Sequence, residues 1–281
     1  MILRCRDVQF ELGQRTMIMG IVNVTPDSFS DGGRFHTPEA AIAHAERLLG
    51  EGADILDLGA ESTRPGAAPV EADEQLRRLT PVLEALRNMP GAVISVDTQR
   101  AEVAARALEL GAHAINDISA LGDADMAHVV AEHGAGLLLM HMQGTPETMQ
   151  QNPVYEDVVR EVATFLAQRR ALAQAAGVAD ECIAVDPGLG FGKTLAHNLT
   201  LLASLEMLAP LRRPIVVGAS RKGFLGALTS DSPSLDRLEA SLAAAVLAAW
   251  QGASILRVHD VAATRRALTV TDSTRRLRPT R

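Results

Sequence analysis

The 281-residue chain is poor in cysteine and in aromatic residues: two Cys, one Trp, one Tyr and six Phe. Cys5 and Cys182 lie far apart and form no metal-ligand spacing, so both are expected as buried free thiols in a reducing compartment. No apolar run approaches the roughly 18 residues of a membrane helix. No signal peptide opens the chain, and the expectation is a soluble, cytoplasmic protein with no membrane partner. Positive charge is not in excess either. The 27 basic residues face 34 acidic ones, a net charge of −7. That excludes a general nucleic-acid role but leaves room for a local cationic pocket.

Familiar catalytic signatures are also missing. His141 and His259 have no HExxH partner, so zinc catalysis is not expected. The segment Asp186-Pro-Gly-Leu-Gly-Phe-Gly-Lys-Thr194 ends like a P-loop, but Pro187 stands where the first glycine belongs. Its glycine spacing fails the dinucleotide fingerprint as well.

What is present is one construction, repeated. Met17 to Val24 is an apolar run broken only by Gly20 and Asn23, which suits a strand buried on both faces. Pro26 stops it, and a loop of turn formers follows to Gly33. Further strands are predicted at Asp54–Ala60, Val93–Thr98, Ala114–Ser119, Gly136–His141, Ile183–Gly188, Pro214–Ser220 and Ile255–Asp260. Helical periodicity follows each. Thr37-Pro38 reads as an N-cap with proline in the first helical turn, and Pro81 as a possible kink in the second helix. Leu201, Leu202, Leu205 and Leu208 read as the stripe of a single sixth helix. Gly52-Ala53, Gly111-Ala112, Gly134-Ala135 and Gly252-Ala253 each stand where a helix returns to the next strand, a site that favours a left-handed glycine. Strand and helix alternating at about 20 to 45 residues per unit predict a single (β/α)8 barrel. Residues 1–16 would form a short N-terminal β-hairpin covering one end, 17–272 the barrel and 273–281 a basic tail. A doubly wound open sheet is the alternative.

Active sites of such barrels lie at the C-terminal strand ends. Those ends read Asn23, Asp57, Asp97, Asn116, His141, Asp186, Ser220 and His259, each of them polar after an apolar run. Singly, Asn and Asp there are ordinary caps and turn formers. Together they would crowd carboxylates at one mouth, which calls for cations. Arg64, Arg221, Lys222 and Arg257 supply them. Alternation puts Arg257 and His259 on the interior face, where an arginine calls for an anion such as phosphate. An ion pair of Arg257 with Asp97 or Asp186 is the structural alternative, and the two can coexist. Asp97, Asn116 and Asp186 with Lys222 suit the amino-pyrimidinone edge of a flat heterocycle. Asn23, Thr63, Arg64, Arg257 and His259 suit a diphosphate. Phe29 and Phe191 either wall an aromatic ligand or pack their loops.

At these residues the chain resembles the dihydropteroate synthase family of pterin-binding barrels. The resemblance rests on Gly20 to Gly33 (GIVNVTPDSFSDGG), Glu61 to Gly66 (ESTRPG), Ser95 to Thr98 (SVDT), Asn116 to Ile118 (NDI) and Met140 to Gly144 (MHMQG). It continues through Asp186 to Lys193 (DPGLGFGK), Ser220 to Lys222 (SRK) and Arg257 to Asp260 (RVHD). Ala60 and Gly223 depart from the common pattern, and where some members carry serine at 223 a hydroxyl contact to a substrate carboxylate is lost.

The resemblance implies condensation of 6-hydroxymethyl-7,8-dihydropterin diphosphate with 4-aminobenzoate, in folate biosynthesis, by a sulfonamide-targeted homodimer. It puts Asp97, Asn116, Asp186 and Lys222 on the pterin, with Met140 and Arg257 against its faces. Asn23, Thr63, Arg64, Arg257 and His259 take the diphosphate, and Mg²⁺ bridges it to Asn23, with Asp31 as a possible addition. Phe29, Thr63, Pro65, Phe191, Ser220 and Lys222 are the candidates for 4-aminobenzoate. The catalytic set is Arg257, His259, Lys222, Asp97 and Asp186. The rivals are a methyltransferase acting on a reduced folate, and a non-catalytic pterin-binding paralogue.

Overall fold

The computed structural model of the chain describes residues 1–25, 37–64, 66–229 and 237–277. The predicted Phe29, Asp31 and Pro65 lie outside them.

Eight parallel strands form the barrel wall: β3 (Met17–Asn23), β4 (Ile55–Gly59), β5 (Ile94–Asp97), β6 (Ala114–Asp117), β7 (Gly136–Met140), β8 (Ile183–Asp186), β9 (Val216–Val217) and β10 (Ile255–Val258). They pair in chain order from β3 to β8, and β10 lies between β3 and β9. A parallel bridge from Val185 to Ile215 joins β8 to the β9 segment and closes the ring. Most observed strands are a residue or two shorter than the predicted runs, but β9 keeps only Val216 and Val217 of the predicted Pro214–Ser220. Helices α1 (Pro38–Gly50), α2 (Ala72–Leu86), α3 (Ala101–Glu109), α4 (Met126–Glu132), α5 (Val158–Ala175), α6 (Leu195–Ala203), α7 (Gly223–Thr229), α8 (Leu238–Trp250) and α9 (Val261–Arg276) follow the strands. The open-sheet alternative is thereby excluded.

Local chemistry sets these elements. The Thr37 hydroxyl accepts the Ala40 amide at 3.3 Å and starts α1, as predicted. Pro81 sits inside α2, which runs unbroken past it. The predicted sixth helix splits: α6 ends at Ser204, and a separate 3-10 turn, Leu205–Leu211, carries Leu205 and Leu208. All four return glycines take the left-handed conformation, with φ of +97° at Gly52, +105° at Gly111, +58° at Gly134 and +103° at Gly252.

Alternate strand residues divide the core. Leu56, Leu58, Val96, Ile115, Leu139 and Val185 face outward into the helix layer, while Met19, Ile55, Ala114, Leu138, Ala184, Val216 and Ile255 fill the lower barrel. The hairpin of β1 (Ile2–Cys5) and β2 (Val8–Glu11) plugs that lower end with Leu3, Cys5 and Leu12. Its fit is tight, for a Cβ at Gly136 would meet Cys5 Sγ at 2.6 Å. Arg6 ties the plug to the returns by donating to the Leu108 and Ala112 carbonyls at 2.9 and 3.0 Å. Both cysteines are free and buried. Among the described residues no helix is long and apolar enough to cross a membrane.

Candidate active site

Above the apolar floor the interior turns polar, and the top opens into a cavity of about 680 Å³ at the C-terminal strand ends. Asn23, Thr63, Arg64, Asp97, Phe191, Ser220, Lys222, Arg257 and His259 line it. Asn116, Met140 and Asp186 are buried at or next to the ends of their strands and are not among the residues that line the cavity. Two predicted strand ends differ. Asp57 is fully buried in mid-strand, while His141 packs edge-on against Phe165 at 4.8 Å and does not line the cavity.

Arg257 organises the floor of the site. Its Nε donates to Asp57 at 2.6 Å and its Nη2 to Asp97 at 2.8 Å. The predicted ion pair with Asp97 is present, and Asp57 is the second partner where Asp186 was the candidate. Burial works against the Arg257 charge, but the Asp57 and Asp97 carboxylates hold the guanidinium above its ordinary value. Burial pushes Asp97 up to about 7, although Arg257 opposes the rise. Burial likewise lifts Asp186 to about 6, against the Gly188 amide that its Oδ1 accepts at 2.7 Å. These are carboxylates short of partners, suited to accept donors from a ligand.

The cations are unequal. Arg64 is exposed and forms no ion pair among the described residues. Lys222 lies with Nζ 3.8 Å from the Phe191 ring centroid. Burial and the neighbouring Arg257 bring it down to about 7, although Asp186 and Asp97 oppose the fall. Arg221, predicted as a compensating cation, also lines the cavity and meets Asp260 through Nε and Nη2 at 3.2 and 2.7 Å. His259 is pushed well below the usual imidazole value by burial and by Arg221, Arg257, Lys222 and Arg64, so it is neutral here. Ser220 Oγ accepts the His259 amide at 3.3 Å and lies 3.0 Å from Nδ1. Donation by that hydroxyl to Nδ1 would leave Nε2 as the N–H of the ring.

Residues that sequence reasoning left without a role hold the loops. Glu61 accepts the Val70 amide at 2.7 Å and Gln75 Nε2 at 3.2 Å, bracing the loop of Thr63 and Arg64. Lys193, the lysine of the P-loop look-alike, points to protein: Nζ meets His141 Nδ1 at 2.9 Å and the Phe191 and His141 carbonyls at 2.8 and 3.3 Å. Gly188, at φ +67°, lies so close to the His141 carbonyl that a Cβ there would collide with it. Asn198 closes the same loop by accepting the Gly190 amide at 2.6 Å.

A parallel α/β barrel with buried acceptors beneath a rim of cations defines a barrel enzyme of the pterin-binding class, and residues 19–259 match the family described as pterin binding enzyme. The Escherichia coli K12 dihydropteroate synthase is 48% identical over 257 residues, which cover 92% of this chain and 91% of that protein. The Yersinia pestis enzyme in a sulfonamide drug complex superposes with a TM-score of 0.94 at 44% identity, covering 98% of this chain and all of the other. The Xanthomonas albilineans enzyme in complex with 7,8-dihydropteroate gives 0.88 at 44% identity, over 99% and 100%. The chain belongs to the dihydropteroate synthase family, transferases of folate biosynthesis.

Proposed function

We propose that the cavity joins 6-hydroxymethyl-7,8-dihydropterin diphosphate to 4-aminobenzoate, releasing diphosphate and forming 7,8-dihydropteroate. The observation that carries this reading is Arg257, shared between the buried carboxylates and the cavity. One guanidinium thus borders both a heterocycle site and an anion site, as a substrate that is both pterin and diphosphate requires. The dihydropteroate-bound relative supports the product.

The residues divide the work. Asp97, Asn116 and Asp186 accept the N–H edge of the pterin, with Lys222 donating, and Met140 and Arg257 flank its faces. Arg64, Thr63, Arg257 and the Nε2–H of His259 receive the diphosphate and stabilise the charge that grows as the C–O bond breaks. The ring-conjugated methylene left behind carries positive charge, which Asp97 and Asp186 favour. The arylamine attacks as its neutral form, so no strong base is needed, and the substitution is dissociative and governed by placement. Phe191, Thr63 and Lys222 border the arylamine, and Ser220 acts there through His259. A Cβ at Gly223 meets nothing within 4 Å, so the space beside the arylamine carboxylate is open there.

Among the described residues no group of three or more His, Cys, Asp or Glu gathers to hold a metal. The Asn23 side chain borders the cavity and is one neutral oxygen donor. That donor set fits Mg²⁺ arriving on a diphosphate, whose oxygens and waters complete its shell, and does not fit a resident metal. When bound, the ion neutralises leaving-group charge.

The apolar Leu247 on α8 and Leu199 on the neighbouring α6 are exposed, which supports a homodimer. Two buried free thiols support a cytoplasmic setting.

The test is diphosphate release with Mg²⁺ and dihydropterin diphosphate, with and without 4-aminobenzoate. Formation of dihydropteroate that depends on the arylamine is expected. Pterin binding with no release under either condition overturns the reading.

A further inference from the structure

Asp57 lies in the barrel layer beneath the cavity, fully buried, and the chemistry above assigns it no role. Its Oδ2 accepts from Arg257 Nε at 2.6 Å and from Asn116 Nδ2 at 3.1 Å. Its Oδ1 accepts nothing among the described residues, and Ser95 Oγ, directly across the β4–β5 ladder, is equally without a partner. A buried carboxylate with one bare oxygen is a poor device for stability, because desolvation offsets most of what the ion pair contributes. Stability does not explain why a carboxylate stands here. Its relation to Arg257 does.

The two carboxylates that hold Arg257 differ in what a ligand can do to them. Asp97 lines the cavity and is an acceptor for the pterin, so the Nη2 bond is open to competition. Asp57 has no exposed surface, so the Nε bond is not. Nη1 takes no hydrogen bond among the described residues, and Arg257 borders the cavity. Asn116, a second pterin acceptor, is tied to the same Oδ2.

We propose that Asp57 is a positioning residue for the condensation: it anchors the Arg257 guanidinium through Nε, so that Nη1 and Nη2 stay presented to the departing diphosphate while Asp97 turns to the pterin. This rests on the synthase reading above. A guanidinium held on its Nε edge cannot swing about its last torsion, and a displacement of about 1 Å in such a group lowers turnover about 10²-fold.

In the diphosphate-release assay Asp57→Asn, which keeps the shape and removes the charge, is expected to lower kcat about 10²-fold while the KM for 4-aminobenzoate stays within about twofold. In an Arg257→Lys background, which has no Nε–H to hold, the same change should lower kcat by less than about threefold, since residues acting as one unit are not additive. Full kcat in a folded Asp57→Asn protein overturns the proposal, as do equal losses in the two backgrounds. A second reading needs no variant of Asp57. The Nε–Hε NMR signal of Arg257, identified by its loss in Arg257→Lys, should keep its slow solvent exchange after saturation with 6-hydroxymethyl-7,8-dihydropterin. Loss of that protection on pterin binding overturns the proposal. A wild-type protein that releases no diphosphate sinks the synthase reading instead, and the NMR signal still decides whether Asp57 holds Arg257.

Discussion

Ser220 and His259 are joined twice, through Nδ1 at 3.0 Å and through the backbone amide at 3.3 Å. The hydroxyl fixes the tilt of the ring that faces the cavity. Ser220→Ala frees the ring and leaves Nδ1 without its partner. The expected loss is about tenfold in kcat, smaller than removal of an oxyanion donor itself, with the KM for 4-aminobenzoate unchanged. Steady-state kinetics separate this from a direct role in the arylamine pocket. A raised KM for 4-aminobenzoate at full kcat would show that Ser220 acts on the arylamine and not through His259.

Asp186 makes the site sensitive to pH. Burial raises its carboxyl from 3.8 to about 6, against the Gly188 amide. Between those values the folded protein holds a proton that the unfolded chain has lost, so stability falls as pH rises through the window and stays reduced above it. A shift of that size amounts to at most about 3 kcal/mol. Asp186→Asn removes the group, so the variant should be equal to or less stable than wild type near pH 4 and gain on it as pH approaches 7. Pterin binding should run the other way, weakening as pH falls through 6 in wild type, with a shallower slope in the variant, where only Asp97 still takes up a proton. Urea melts and calorimetric titrations across pH 4–8 check both. Parallel stability curves for the two proteins would refute the account.

Much of this was legible in the chain, and the exceptions have physical causes. Short apolar runs ending in Asn23, Asp97, Asn116 and Asp186, separated by returns through Gly52, Gly111, Gly134 and Gly252, are local signals, so they gave the barrel and its open end. Asp57 stands in such a run too, but its meaning lies in a partner 200 residues away. Periodicity places it on the inner face and says nothing about its depth. His141 misled for the opposite reason. It follows the apolar run of β7 as a strand-end residue should, yet its ring packs on Phe165 outside the cavity. Arg221 read as a compensating cation, but its ion pair with Asp260, on another βα loop, is a contact that spacing does not show. Ser204 broke the sixth helix although leucines continue the stripe across it, because hydrophobic spacing does not register a helix end.

Lys193 gives a sharp test of motif against structure. A P-loop lysine binds phosphate, and its loss weakens the anion. Here Nζ is buried against two carbonyls and His141 Nδ1, and burial brings the ammonium down to about 7. Lys193→Met fills similar space and leaves those acceptors unpaired, at about 1–3 kcal/mol for each. A stability loss of about 3 kcal/mol is therefore expected, with a KM for dihydropterin diphosphate within about threefold of wild type at a temperature where the variant is folded. A KM raised by two orders of magnitude with stability intact would restore the anion-binding reading.

The outer face of α8 carries an exposed leucine. Ala244, Ala245, Ala248 and Ala249 pack inward, and small side chains there let the helix lie close to the barrel. Leu247 points away and is 52% exposed, while Leu199, on the adjoining α6, is 37% exposed. Two such leucines on touching helices are a surface that association can cover. If it does, Leu247→Glu buries an unpaired charge and weakens the dimer by about 3 kcal/mol, or about 10²-fold in dissociation constant. Leu172 on α5 is as exposed, at 53%, and Leu172→Glu is the control. Sedimentation should give a wild-type dimer, a Leu247→Glu monomer at the same loading and an unchanged Leu172→Glu protein. A wild-type monomer, or a Leu247→Glu protein that stays dimeric, would sink this face as the interface. Thermal melts of Leu247→Glu add a second criterion, because a charge on a solvent-facing position barely affects the isolated barrel. Its melting temperature should therefore fall only by what dimerisation contributes, and that contribution should grow with protein concentration in wild type and not in the variant.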